Sequence, residues 1–249
     1  MIPVAIFHPT FLILAAGVAN AFLTGDLFNL YVGFEILLAS SAVLLTLGGT
    51  AERIRAGSVY IIVTLISSTL FLSAIALIYG ATGTVNMAQL AERLPEIDRP
   101  CARRCSSCCC SRSASSRHLP AVRVAARLLP DGARPPVTAV FAGLLTKVGV
   151  YSILRTQTLL FPDNPPTVDQ VLMVLALLTM VIGILGAVAQ NDVKRLLSFT
   201  LVSHIGYMIF GIALATEAGT AAAIYYVVHH ISVQTALFLV VGLVEWRGG

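Results

Sequence analysis

The sequence predicts an all-α fold, a polytopic transmembrane helix bundle of about seven spans. Of its 249 residues, 57% are hydrophobic and only 11% are charged, and the mean hydropathy is +0.87. A soluble domain has about a quarter of its residues charged, so this composition excludes a soluble fold. Backbone groups in lipid must hydrogen-bond within their own segment, so each span is predicted to be a helix.

The apolar segments form two groups, three before residue 99 and four after residue 134. Each is long enough to cross about 30 Å of hydrocarbon at about 1.5 Å per residue. The first segment lacks the basic start of a signal peptide, so it is predicted to be a retained span. We expect residues 1–98 and 135–249 to be two parts of one bundle. The predicted spans are 3–24, 27–48, 57–80, 137–160, 168–189, 197–215 and 220–245.

Residues 99–134 interrupt this pattern. They hold eight of the sixteen lysines and arginines and all five cysteines. Three interpretations stay open: a metal site, although three consecutive cysteines converge poorly on one ion; a basic loop on lipid headgroups; and a shifted reading frame. We favour the last, because one choice of codons for residues 117–133, read one base later, encodes GIFPLYAWLPASYQTA, a membrane-like sequence. We therefore predict no metal site.

The basic loops also suggest a missing crossing. Basic residues in short loops favour the cytoplasmic side of a membrane. Arg53 and Arg55 follow the second predicted span, and Lys194 and Arg195 follow the fifth. Three spans between the two loops would place them on opposite sides. One additional span within 99–134 would place them on the same side.

Lys147 lies near the middle of the apolar stretch PVTAVFAGLLTKVGVYSILRT, residues 136–156. A lone ammonium group in hydrocarbon costs a few kcal/mol or more, so such a residue indicates a function. Lysine is also the cation that most readily exchanges its proton once it is removed from water. We interpret Lys147 as a station in a proton path. The alternative is snorkelling to the headgroups, for which a mid-span position requires a long reach.

Glu35 and His204 are candidates for the same path. Glu35 lies inside the second span, where a carboxylate must be paired or neutral. We interpret it as a switch that tunes a nearby lysine; an ion pair with an arginine is the structural alternative. The imidazole of His204 titrates in the range that suits a proton relay, and a hydrogen-bonded structural histidine is the alternative.

The last span carries a pair of adjacent histidines, His229 and His230. Neighbours on a helix point about 100° apart, so both cannot face one channel. We favour His230, because it and Gln234 are one turn apart, and we keep His229 and Gln234 as auxiliary positions. His8, near the start of the first span, is expected at the membrane interface. The sequence contains no phosphate-binding loop or nucleophile elbow, so we predict no cofactor.

Four stretches resemble a known family: GDLFNLYVGFEILLASSAVLLTLGGT, PPVTAVFAGLLTKVGVYSILRT, QNDVKRLLSFTLVSHIGYMIFGIAL and YYVVHHISVQTALFLVVG. They look like blocks of the antiporter-like membrane subunits, which include the proton-pumping subunits of complex I and the large subunits of Mrp-type cation/proton antiporters. The D-type Mrp branch is the most similar. Members have roughly fourteen spans of bilayer length, so the chain resembles an internal fragment.

The resemblance implies roles for particular residues. Glu35 matches a glutamate that pairs with a lysine; that lysine would fall within 99–134, where this sequence has none. Lys147 matches a proton-carrying lysine, and His204 matches a histidine of the same path. The last block usually has a histidine followed four residues later by a lysine; here the pair is His230 and Gln234, and an amide carries no titrating proton.

The resemblance also implies a function. It indicates a proton-translocating subunit of a multisubunit Na⁺/H⁺ antiporter in the bacterial cytoplasmic membrane. Its partners would be other membrane subunits, the lipid bilayer, H⁺ and Na⁺, with no nucleic acid and no cofactor. A proton-pumping subunit of an NADH-quinone oxidoreductase or membrane hydrogenase is the first alternative, in which redox chemistry in partner subunits drives the path. A truncated, non-functional remnant is the second.

Overall fold

A computed structural model describes residues 4–47, 49, 51–94, 140–160 and 166–248. Within these residues the chain forms α-helices, six of which are long and apolar enough to cross a membrane. This confirms the predicted all-α transmembrane bundle. The interpretations of residues 99–134 lie outside the described residues and stay predictions. The helices are α1 (Val4–Leu23), α2 (Leu27–Thr46), α3 (Ala51–Thr82), α4 (Met87–Arg93), α5 (Thr146–Arg155), α6 (Pro166–Val188), α7 (Val193–Ala213) and α8 (Glu217–Gly248).

The predicted span that carries Lys147 is a composite helix. The short helix α5 is preceded by a π-helical turn, Phe141–Leu145, and followed by another, Thr156–Leu160. The run from 140 to 160 is therefore continuous, but it is not the single α-helix that its hydropathy predicts. Because π-helical turns are rare and often accompany functional sites, these two mark α5 as a special segment.

The helices extend beyond several of the predicted spans, and the clearest differences are around α3. Helix α3 begins at Ala51, so Arg55, which was predicted to lie in a loop, is in its first turns. The polar connector after α3 contains the unpredicted helix α4, capped by Asn86. Both differences have one cause: hydropathy locates the hydrocarbon, whereas a helix satisfies its own backbone in water as well as in lipid and continues until a cap ends it.

Two turns pair with each other at one end of the bundle. The N–H of Leu27 donates to the carbonyl of Val85 at 3.0 Å, and the N–H of Met87 donates to the carbonyl of Gly25 at 2.9 Å. These bonds join the α1–α2 turn to the α3–α4 turn, so α2 and α3 form an antiparallel hairpin. The gap between the predicted spans 3–24 and 27–48 is therefore a membrane-surface turn that is paired with the turn between α3 and α4.

The helix starts that carry Arg55 and Lys194 lie at the end of the bundle opposite the paired turns. The hydroxyl of Tyr151 in α5 donates to the carbonyl of Phe22 near the end of α1 at 3.0 Å, which places the end of the composite helix beside the paired turns. Helix α6 begins only a few residues later, too few to recross about 30 Å. It carries the chain back, so α7 with Lys194 starts at the same end as α3 with Arg55. The positive-inside rule assigns this end to the cytoplasm.

Helix α5 stands between two packed cores. Buried residues of α1 to α4 form one core, to which α5 contributes Val148. Buried residues of α6, α7 and α8 form the other, to which α5 contributes Val150 and Ile153. A helix that buries side chains in two directions is a central helix, and its polar side chains must find partners inside the protein.

Candidate functional site

Lys147 points into the bundle. Its side chain is 0% exposed, and it is among the largest fully buried side chains of the described residues. Its Nζ donates to the hydroxyl of Thr146, the preceding residue, at 3.1 Å. The ammonium group therefore stays inside the helix bundle and does not snorkel to the headgroups.

Helix α8 packs closely against the turn before Lys147. A Cβ atom added at Gly143, one turn earlier, would lie 2.6 Å from the hydroxyl oxygen of Thr235 in α8. The nearest backbone atom of α8, the carbonyl oxygen of Ile231, would be 4.0 Å from the same Cβ, so a side chain at this position would fit only if the Thr235 hydroxyl turned away. This contact brings the middle of α8 beside α5. The ammonium charge of Lys147 is then close enough to interact with a charge on the imidazole of His204 or of His230.

His204 and His230 form a pair of imidazoles between α7 and α8. Their ring centroids are 4.7 Å apart. Two unit charges at 4.7 Å repel each other by about 3.5 kcal/mol at an effective dielectric constant of about 20. The two rings therefore hold one proton between them far more readily than two, which is the property of a relay.

His230 is the more buried ring. Its side chain is 3% exposed, and neither of its nitrogens has a hydrogen-bond partner within the described residues. A buried polar atom left unpaired costs about 1–3 kcal/mol. A structural histidine is normally bonded through at least one nitrogen, and no described residue supplies such a bond to His230.

Sequence analysis missed Tyr226. Its hydroxyl is hydrogen-bonded to Nδ1 of His204, and its ring stacks on that of His230, with centroids 6.1 Å apart and an interplanar angle of 28°. The spacing was a usable signal, because Tyr226 is one helical turn before His230 and therefore shares its face. The bond to His204 could not be read from the sequence, since that residue belongs to another helix.

Close packing of α6 on α7 fixes the position of His204. A Cβ atom added at Gly183 in α6 would lie 2.6 Å from the backbone nitrogen of Ser203. The hydroxyl of Ser203 in turn donates to the carbonyl of Met180 in α6 at 3.1 Å. Because the backbone of α7 is held at the residue before His204, the imidazole is directed consistently towards α8.

Gln234 and His229 occupy opposite surroundings. Gln234 is 1% exposed, and its Nε2 donates to the carbonyl of Leu197 in α7 at 3.1 Å. His229 is on the exposed side of α8, as is His8 on α1. Of the two adjacent histidines, His230 is therefore the one that shares the interior with Gln234.

Glu35 lies on α2, in the half of the bundle formed by α1 to α4. One of its carboxylate oxygens is buried and has no hydrogen-bond partner among the described residues. The stretch in which the resemblance implies its partner lies outside those residues. The structure therefore groups Lys147, His204 and His230, and it leaves the role of Glu35 a prediction.

In the described ranges no three histidine, cysteine, aspartate or glutamate side chains are grouped so that they could hold a metal ion. The five cysteines fall in residues 99–134, outside those ranges.

The chain is similar to known membrane proteins. It is 40% identical over 248 residues to the D-type Na⁺/H⁺ antiporter protein of Alkalihalophilus pseudofirmus, over 96% of this chain and 49% of that protein. A chain of the Mrp complex from Dietzia sp. DQ12-45-1b matches with a TM-score of 0.87 and 37% identity, over 95% of this chain and 45% of that one. A chain of the membrane-bound sulfane sulfur reductase, an archaeal respiratory membrane complex, matches with a TM-score of 0.88 and 30% identity, over 94% and 48%.

These similarities extend through most of the chain. It spans about half the length of the curated relatives that it matches. With its six apolar helices, it is a multi-pass integral membrane protein. The family described as NADH:quinone oxidoreductase/Mrp antiporter, transmembrane region, matches residues 24–248. The chain therefore belongs to the NADH:quinone oxidoreductase/Mrp antiporter family of membrane proteins.

Proposed function

We propose that this chain is a proton-translocating subunit of a multisubunit Na⁺/H⁺ antiporter in the cytoplasmic membrane. The observation that carries the proposal is the fully buried Lys147 within electrostatic range of the His204–His230 pair. Its similarity to a protein named as part of a Na⁺/H⁺ antiporter supports the same assignment. On this proposal the chain is part of a transporter and not an enzyme.

The three side chains have distinct roles in the proposal. Lys147 is the carrier, because an amine inside the bundle alternates between ammonium and neutral forms when neighbouring charges change. His204 and His230 are the relay, because their rings are near each other and repulsion favours one shared proton. A charge on Lys147 disfavours a charge on either ring, so a proton leaving the amine makes the pair easier to protonate.

Glu35 supplies the switch, and partner subunits supply the coupled ion. A carboxylate that is charged holds a proton on a nearby amine, and one that is neutral releases it. Movement of Na⁺ through the assembled antiporter changes these charges and so drives the proton forward. We place His229 and Gln234 at the margin of the path, since one is exposed and the other is held by a backbone carbonyl.

Exchange in membrane vesicles tests this proposal. The chain would be expressed with its companion antiporter subunits in a bacterial host that lacks its own Na⁺/H⁺ antiporters. Everted vesicles would be acidified inside, and the collapse of the pH gradient on adding Na⁺, Li⁺ or K⁺ would be followed with a fluorescent amine. Cation-dependent collapse is expected with Na⁺. Vesicles that assemble the subunits but show no response to any of the three cations would contradict the proposal.

A second candidate function is membrane proton pumping in a respiratory complex. It is favoured by the similarity to a chain of an archaeal respiratory membrane complex, which equals the antiporter match in TM-score to within 0.01. The same path would then be driven by redox chemistry in partner subunits, as in an NADH-quinone oxidoreductase, and this chain would be a non-redox subunit. Mass spectrometry of the purified complex separates the two: small antiporter subunits support the first, and quinone-reducing or hydrogenase subunits support the second.

A further inference from the structure

Tyr226 lies beside both imidazoles, and its hydroxyl has no packing role. The hydroxyl bonds to Nδ1 of His204, while the ring lies 5.8 Å from the ring of His204 and 6.1 Å from that of His230, centroid to centroid. A phenylalanine would fill the same volume beside the two rings. What the tyrosine adds is one hydrogen bond to one nitrogen of His204.

That bond makes the two nitrogens of His204 unequal. The hydrogen bond at one ring nitrogen determines which nitrogen carries the proton in the neutral form. With Nδ1 held by Tyr226, Nε2 is the nitrogen of His204 left to exchange a proton with the neighbouring ring. A neutral His204 ring can accept a proton at Nε2 only if that nitrogen carries no hydrogen. The single hydrogen of the neutral ring must then be on Nδ1.

We propose that Tyr226 is a positioning residue of the proton path: its hydroxyl oxygen accepts the Nδ1–H of His204 and leaves Nε2 as the atom that exchanges a proton with His230. The inference rests on the proposed function. In the transfer, the N–H bond at Nε2 of the His204 imidazolium breaks and an N–H bond forms on His230. The positive charge moves with the proton, and His204 remains neutral with its hydrogen on Nδ1.

His230 is suited to receive that proton. Both of its nitrogens are buried, and neither has a hydrogen-bond partner within the described part of the chain. While the ring is neutral, one nitrogen carries the hydrogen and the other keeps a lone pair, and no described residue bonds to that lone pair. Stacking of Tyr226 on the ring holds it in place, so one side chain positions both partners of the transfer.

The test compares two adjacent tyrosines in the assembled complex. Tyr226→Phe removes only the hydroxyl, and Tyr225→Phe makes the same change at a neighbour whose side chain is 75% exposed. The complex would be labelled with ¹⁵N-histidine, and magic-angle-spinning NMR would identify the neutral tautomer of His204. Its signals are assigned by their loss in His204→Asn.

We expect His204 to carry the hydrogen on Nδ1 in the wild-type complex and in Tyr225→Phe. In Tyr226→Phe it should shift towards the Nε2–H form that a free histidine side chain prefers. Exchange should fall about two- to tenfold in Tyr226→Phe, the effect of one lost hydrogen bond, and should not change in Tyr225→Phe. A wild-type ring with its hydrogen on Nε2, or an unchanged tautomer in Tyr226→Phe, would overturn the inference. If the tautomer follows Tyr226 but the wild-type complex exchanges no cation, the positioning of His204 stands and the proposed function fails.

Discussion

Replacing Lys147 with methionine separates proton carrying from packing. Methionine is unbranched and of similar length, so it fills the same buried space and removes the ammonium group. Exchange should fall by about 10²-fold or more, the typical contribution of a positioned proton-transfer group. The side chain is 0% exposed, and a charge at the centre of a span costs about 2.5–3.5 kcal/mol. The free energy of unfolding should therefore be unchanged or higher by up to about that amount.

Two further substitutions at Lys147 complete the comparison. Lys147→Ala also removes most of the side chain, so it should be less stable than Lys147→Met by about 2–5 kcal/mol, the usual cost of truncating a buried methionine. Lys147→Arg keeps a positive charge, but a guanidinium does not release its proton inside proteins. Exchange should therefore be lost in all three variants, although only one of them creates a cavity.

Cation/proton exchange would be measured in everted vesicles that contain equal amounts of assembled complex. Stability would be measured as the thermal unfolding temperature of the complex in detergent. If Lys147→Met retains exchange, the amine is not the carrier. If Lys147→Met is clearly less stable than the wild-type protein, the charge is a structural element that the bundle requires, and its burial is not the sign of function that we infer.

Three further predictions concern the frame that holds the site. Gly183→Ala should destabilise the protein by about 1–3 kcal/mol through overpacking, because the new Cβ would lie 2.6 Å from the backbone nitrogen of Ser203. The control Gly80→Ala, at a helical glycine with no described atom within 4 Å of the new Cβ, should be neutral or stabilising by up to about 1 kcal/mol. Equal unfolding temperatures for the two variants would contradict the packing argument. Asp26→Ala should cost about 0.5–2 kcal/mol, because the carboxylate accepts two backbone N–H groups in the first turn of α2, at 2.7 and 3.1 Å; an unchanged unfolding temperature would show that the cap is not needed. Gln234→Ala should lower the free energy of unfolding by about 1–3 kcal/mol, because it leaves a cavity and removes a hydrogen bond to α7. The variant should retain most of the cation/proton exchange. Loss of exchange at normal stability would place Gln234 in the proton path itself.

Hydropathy predicts where the spans of this chain lie, but it does not predict which side of each helix packs inside the bundle. The span positions follow from length and apolarity, because hydrocarbon accepts little else. In lipid, however, the outward face of a helix is as apolar as the packed face, so the pattern that separates inside from outside in soluble proteins is weak. The exposed isoleucines of α3, Ile62 and Ile66, and its buried Ile75 and Ile78 illustrate this, since composition does not distinguish them.

The polar residues were predicted because each is costly in a membrane, and what could not be predicted was their contacts. Lys147 and His230 can be recognised individually, and the one-turn spacing of His230 and Gln234 indicates a shared face. The contact of α8 with the turn before α5 lies at Gly143, and the hydrogen bond of Tyr226 joins residues on different helices. Such contacts are tertiary, so a single sequence indicates which residues belong to the site but not which of them contact one another.

The two imidazoles differ in a way that a purely structural role does not explain. His204 is bonded through Nδ1 and held in place by the α6–α7 contact, whereas His230 is 3% exposed with neither nitrogen bonded among the described residues. Replacing His230 by an apolar residue of similar size would break no hydrogen bond to any described residue. The described contacts therefore give no structural reason for a histidine at this position. A fixed ring beside an unsatisfied one, with a buried amine acting on both, is instead the arrangement expected of a proton donor, its acceptor and the charge that controls them.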